Sequence, residues 1–178
     1  ELLRRFDTPG PRYTSYPTAD RFSAKFGPGD TLRVLEARRQ SDSSAPLSLY
    51  LHIPFCESLC YYCACNKIIT RHHDRAAEYL DALESELALV VQSLGTGRPV
   101  SQLHFGGGSP TFLSDAELTR VMRTLAVAFR LTDDSEVSIE VDPRKVDAGT
   151  VAFLAGLGFN RISVGVQDFD PDVQKAVN

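Results

Sequence analysis

From Pro46 onward two hydrophobic periods alternate along the chain. PLSLYLHIPF (46–55) is an apolar run between turn signals and predicts a strand. RAAEYLDALESELALVVQSL (75–94) puts Leu80, Leu83, Leu87 and Val90 or Val91 on one face and predicts an amphipathic helix. VSQLHF (100–105) predicts a second strand, followed at once by Gly106, Gly107 and Gly108. Ser114 and Glu117 form a capping box for a helix that runs to about Phe129. SEVSIEVD (135–142) predicts the third strand. Asp147 then caps the helix TVAFLAGLG, and Gly158 closes it. NRISVGVQ (160–167) predicts the fourth strand, and PDVQKAV begins another helix.

The order β-α-β-α-β-α-β-α implies an α/β fold with a parallel sheet and right-handed crossovers. Pattern alone leaves open whether the sheet curls into a barrel. In either case the functional loops gather at the C-terminal ends of the strands. Four polar features fall there: the loop after strand one, GGGSP after strand two, Glu140 at the end of strand three and Gln167 at the end of strand four.

Residues 1–45 read differently. PGPRYTSYPTADRF (9–22) is rich in Pro, Tyr and turn formers and predicts an extended arm. Asp30 to Arg39 predicts a short helix, and QSDSSAP (40–46) is a polar linker. The division expected is an arm over 1–45 and an α/β core over 46–178. The chain opens inside a charged, helix-like run and stops in the first turns of a helix, so a longer parent protein is expected.

Composition narrows the class. The 178 residues, 43% hydrophobic, amount to about one domain with a core. No apolar stretch approaches a membrane span of roughly 18 residues, and no secretory signal opens the sequence. A net charge of −4 argues against a nucleic-acid scaffold. The expected compartment is the reducing cytoplasm, where clustered cysteines point to metal binding or catalysis.

All four cysteines lie in CESLCYYCAC: Cys56, Cys60, Cys63 and Cys65. The first three have C-x-x-x-C-x-x-C spacing. Three thiolates on one loop can hold three corners of a [4Fe–4S] cube and leave one iron open for a small ligand. Zinc, a disulfide and idle thiols are the alternatives, but zinc would call for four ligands, usually as two separated pairs. Cys65 is awkwardly placed for a fourth corner and is expected to line the site. His52 is expected to lie back on the strand.

The glycines of GGGSP allow a ligand to approach bare backbone, although an ordinary βα turn would use them too. Glu140 shares a strand face with Ser138 and is either a solvated carboxylate or an acceptor for ribose hydroxyls. Gln167 is a similar amide. By default Tyr50 is a core tyrosine, His104 a satisfied strand histidine, and His72 and His73 solvated. Arg12, Tyr13, Tyr16 and Lys67 are candidates for holding an anionic substrate.

CESLCYYCAC, HFGGGSPT, EVDP and SVGVQ together resemble the radical S-adenosylmethionine (SAM) superfamily. The arm GPRYTSYPTA and the C-x-x-x-C-x-x-C-x-C form make the chain similar to the oxygen-independent coproporphyrinogen III oxidase family of haem biosynthesis. This resemblance implies a partial (βα)₆ TIM-like barrel, of which the chain carries four strands. It implies that Cys56, Cys60 and Cys63 hold the cluster and that two SAM molecules bind per active site. Tyr50, Gly107 and Glu140 would serve the first SAM. Tyr62, Gly108, Ser109 and Gln167 would serve the second, with Tyr62 and Ser109 standing where the family often has Phe and Thr. Tyr50 and Cys65 are the candidate catalytic residues.

The activity implied is radical oxidative decarboxylation. Reductive cleavage of SAM gives a 5′-deoxyadenosyl radical, which takes a hydrogen from the β-carbon of a propionate. Loss of CO₂ and one further electron leaves a vinyl group. Two such rounds turn coproporphyrinogen III into protoporphyrinogen IX. The implied partners are coproporphyrinogen III and a reducing electron donor, with no nucleic acid and no membrane, in a full-length monomer. This stretch alone is expected to be inactive. A haem chaperone of the same family typically lacks the equivalents of Cys65 and the arm. A radical SAM enzyme acting on another substrate and a zinc-binding structural module are the other readings.

Overall fold

The computed structural model describes residues 18–41 and 44–177. Arg12, Tyr13 and Tyr16 lie outside them. Helix α1 (Pro28–Gln40) precedes strand β1 (Leu47–Ile53). Two short strands follow, β2 (Phe55–Cys56) and β3 (Ile68–Ile69), and then helix α2 (Arg75–Leu94). The remaining elements are β4 (Arg98–Gly107), α3 (Asp115–Ala128), β5 (Phe129–Val141), α4 (Ala148–Gly156), β6 (Arg161–Val164) and α5 (Pro171–Val177).

The main sheet has the order β1-β4-β5-β6, and every pair is parallel. The expected α/β architecture is therefore present. Helix ends follow local chemistry. Ser114 accepts from the Glu117 N–H, and the Ser114 N–H donates to Glu117 Oε2 at 2.8 Å. Asp147 accepts from the Thr150 N–H at 2.8 Å. Gly158 closes α4 with φ +101°.

One face of the sheet holds the core. Leu51, Ile53, Leu103, Phe105, Val137, Ile139 and Val141 are buried there, together with Ala76, Leu80, Leu118, Val121, Leu125 and Leu154 from the helices. A register shift between Val100 and Gln102 rephases β4, so that Val100 and then Leu103 both reach this core. On β5 the matching excursion is closed by Ser135, whose Oγ donates to the Val100 carbonyl at 2.5 Å.

The opposite face is polar. Tyr50, His104, Ser138 and Arg161 pair in sequence across all four strands. One step toward the strand ends come His52, Gly106, Glu140 and Ser163. Parallel sheets usually bury both faces under helices. Here the second face is left for polar chemistry, as on the inside of an incomplete barrel.

Several boundaries differ from expectation; β5, for one, begins at Phe129 rather than Ser135. Strand β4 continues through Gly107, so the first two glycines belong to the sheet. Phe55 and Cys56 leave β1 and pair with Ile68 and Ile69 in a separate two-stranded ribbon. Strand β6 stops at Val164, which pairs with Val141, the last residue of β5. Gln167 therefore lies beyond the strand, with φ +67° in the left-handed region.

Candidate functional site

The cysteine loop starts where β2 delivers Cys56. It is closed at its base by the Ile68 N–H on the Pro54 carbonyl at 2.7 Å and the Thr70 N–H on the Cys56 carbonyl at 2.8 Å. Within it, the Cys63 N–H donates to the Cys60 carbonyl at 3.1 Å. Lys67 Nζ donates to the carbonyl of Cys63 at 2.9 Å and to that of Cys65 at 3.4 Å. Lys67, a candidate for substrate binding on composition, is thus engaged as a tie across the loop.

All four thiols are free. They line a cavity of about 630 Å³ together with Tyr62, Gly107, Gly108, Ser109, Glu140 and Gln167. Of the candidates for cluster and SAM binding, only Tyr50, on strand β1, does not open onto this space. Burial pushes the Cys56 thiol up. Cys63 is lowered, first by the Cys65 backbone N–H and further by Lys67. Burial and then the neighbouring Cys60 push the Tyr62 phenol up.

Tyr50 sits on the polar sheet face beside the cavity and is 58% exposed, so it is not a core residue. Its ring stacks on His104 at 5.9 Å and 22°. Its hydroxyl lies 3.0 Å from His52 Nδ1, while His52 Nε2 lies 2.7 Å from the Asn66 carbonyl. The carbonyl accepts only, so Nε2 carries the proton and Nδ1 accepts from Tyr50, an assignment made from the network. His52 is therefore part of the strand and loop scaffold, as expected. Partial burial, then Glu140 and Cys65, push the Tyr50 phenol up.

His72 and His73 are exposed. His73 nevertheless stacks on Phe112 at 5.2 Å and meets Glu117 at 2.8 Å, partners that sequence spacing does not reveal. Two further features went unread in the sequence. Lys145 of the β5–α4 loop pairs with Glu57 of the cysteine loop. Arg144 donates through Nε to Asp142 Oδ1 at 2.9 Å and through Nη2 to Oδ2 at 2.8 Å, at the cavity wall. Both bind the loop after β5 around the site. The only signal for them was the basic pair following EVDP.

Three thiols on one loop are a donor set that suits an iron–sulfur cluster. Among the described residues, no three His, Cys, Asp or Glu side chains close on one metal-ion position. The wall beside Cys56 is also bare: a Cβ on Gly108 would lie 2.9 Å from Cys56 Sγ and 2.6 Å from the Phe55 carbonyl oxygen.

A sequence profile of the Radical SAM superfamily matches residues 50–178. The chain belongs to the radical SAM superfamily. That membership implies a [4Fe–4S] cluster and SAM. Among relatives, the chain is 52% identical to the oxygen-independent coproporphyrinogen III oxidase of Pseudomonas aeruginosa, over 100% of the chain and 39% of the relative. It is 49% identical to that of Escherichia coli, over 99% of the chain and 38% of the relative. The solved structure of coproporphyrinogen III oxidase from Escherichia coli, described as a radical SAM enzyme, superimposes with a TM-score of 0.85 at 48% identity. That match covers 99% of this chain and 38% of the other. The chain thus spans less than two fifths of the solved relative's length. No helix among the described residues is long and apolar enough to cross a membrane.

Proposed function

We propose that the protein to which this chain belongs oxidatively decarboxylates two propionate side chains of coproporphyrinogen III to vinyl groups, yielding protoporphyrinogen IX. The observation that carries this reading is the 48–52% identity to named coproporphyrinogen III oxidases along essentially the whole chain. The shared cavity that gathers the thiols with Gly107, Gly108, Ser109, Glu140 and Gln167 supports it.

Each group has a task in this reading. Cys56, Cys60 and Cys63 hold the cluster, and Lys67 keeps their loop closed. Bound together, the cluster and SAM supply the carbon radical that an unactivated C–H bond requires. Glu140 accepts from ribose hydroxyls, and Gly107 lets the ligand approach the backbone. Tyr50 bounds the first SAM site from the sheet face. Tyr62, Gly108, Ser109 and Gln167 serve a second SAM. Cys65, two residues past the third ligand, lines the reacting space with Tyr50. An external reductant supplies electrons, and the cavity wall keeps water from the radical.

The test has two stages. The chain is reconstituted anaerobically with iron and sulfide, reduced, and examined by EPR with and without SAM. A [4Fe–4S]⁺ signal that shifts with SAM supports the open-iron reading, whereas zinc uptake without a cluster overturns it. The full-length protein is then given coproporphyrinogen III, SAM and a reductant, and protoporphyrin and CO₂ are measured. Cluster and SAM cleavage without decarboxylation would reassign the substrate.

A further inference from the structure

His104 is a sheet-face histidine with three engagements. Its Nδ1 lies 2.7 Å from Ser138 Oγ, its Nε2 lies 3.4 Å from Glu140 Oε1, and its ring stacks on Tyr50. The second oxygen of Glu140 accepts from the Gly107 N–H at 3.3 Å. Tyr50, His104 and Glu140 converge over Gly106: a Cβ there would lie 3.0, 3.1 and 3.2 Å from them. The carboxylate has no hydrogen to give, so Nε2 carries the ring proton toward Glu140. In the neutral ring Nδ1 is then an acceptor; the hydroxyl of buried Ser138 also lies 3.4 Å from the Leu103 carbonyl, but Nδ1 at 2.7 Å is much the nearer acceptor and takes its hydrogen. The chain of donors runs Ser138 to His104 to Glu140, with Gly107 closing on the other oxygen. Each carboxylate oxygen keeps a lone pair free for a ligand.

We infer that His104 is a positioning residue that fixes the Glu140 carboxylate for the ribose hydroxyls of SAM. The inference rests on the SAM reading of this site. Without the Nε2 donor, Glu140, with its side chain 44% exposed, is held by one long backbone bond and swings toward solvent. Binding then has to order it again, and affinity falls.

The test is the SAM dissociation constant of the anaerobically reconstituted chain, read from the EPR shift, with iron content and thermal unfolding followed alongside. His104→Leu is expected to weaken SAM about tenfold, the scale of one lost hydrogen bond to a charged group. Its iron content should stay at the parent level. His104→Gln, whose amide N–H replaces Nε2–H, is expected to recover most of that loss. Imidazole ¹⁵N shifts of the parent chain should show the Nε2–H tautomer. Parent affinity in His104→Leu overturns the inference, and so does equal weakening in both variants, which would mean that the ring matters only as packing under Tyr50. If His104→Leu fails to fold, Ser138→Ala replaces it. It releases one end of the ring and should weaken SAM several-fold, and parent affinity there is also overturning. A parent chain that takes up the cluster and ignores SAM instead sinks the underlying reading of the site.

Discussion

Gly108 and Cys56 approach so closely that any side chain on the glycine would strike the thiol. The ideal Cβ position lies 2.9 Å from Sγ and 2.6 Å from the carbonyl oxygen of Phe55. The second contact is backbone, held by the Ser109 N–H on the same oxygen at 2.7 Å, so it has little room to yield. Gly108→Ala should therefore push the start of the cysteine loop outward. Overpacking of this kind costs about 1–3 kcal/mol. The expected result is a folded chain that retains less than about half of the parent's iron and sulfide after reconstitution. Parent iron content, with circular dichroism unchanged, would show that the loop yields freely.

Lys67 ties the other end of the loop, with one ammonium on the carbonyls of Cys63 and Cys65. Lys67→Met keeps the alkyl stem and removes the donors. Because these carbonyls lie near the surface, global unfolding should shift by less than about 1 kcal/mol. The loop itself should open more often. Loss of cluster absorbance in the presence of a chelator is expected to quicken several-fold in Lys67→Met. An unchanged decay would remove Lys67 from the account of cluster retention.

The fold was readable because hydrophobic period and caps agree along the chain. Leu80, Leu83 and Leu87 mark α2, Ser114 and Glu117 mark the start of α3, and Val137, Ile139 and Val141 mark β5. That Cys56, Cys60 and Cys63 face one cavity was readable from their spacing on one short loop. The site was not readable where a partner comes from elsewhere in the chain. His104 stands between Leu103 and Phe105, and its local pattern says nothing of Ser138 or Glu140. Gln167 follows an apolar run that looks like a strand to its end, yet pairing ceases at Val164, opposite the last residue of β5. A two-residue ribbon such as Phe55–Cys56 with Ile68–Ile69 is too short for any period to show.

Phe105 lies on the core side of β4, between His104 and Gly106 of the polar face. It is 0% exposed and meets Phe159 edge-on at 5.2 Å and 75°. Phe105→Ala empties the space between the sheet and α4, and such truncations cost about 3–5 kcal/mol. A domain of this size has about 5–15 kcal/mol in all. The urea midpoint should fall by about a fifth or more with the slope unchanged. A small fall would mean that Phe159 and Leu154 collapse into the gap.

Glu84 joins α2 to α3. It accepts from Arg120 Nε at 2.8 Å and Nη2 at 2.7 Å, and from Thr124 Oγ1 at 3.1 Å. The Arg120 guanidinium holds the Glu84 carboxyl below its ordinary value, against the opposing effect of burial and with a smaller contribution from the Thr124 hydroxyl. The sign follows from proton counting. Between the lowered folded value and the ordinary value near about 4.3, the unfolded chain binds more protons than the folded one. The increment of stability is therefore fully present above that ordinary value and is lost as pH falls through the folded one. Glu84→Gln cannot ionise. It should be less stable than the parent at pH 7, and the two should converge as pH falls toward 3. Urea unfolding at pH 7, 5, 4 and 3 checks this, and a constant difference across the series would show that the Arg120 contact contributes through packing rather than charge.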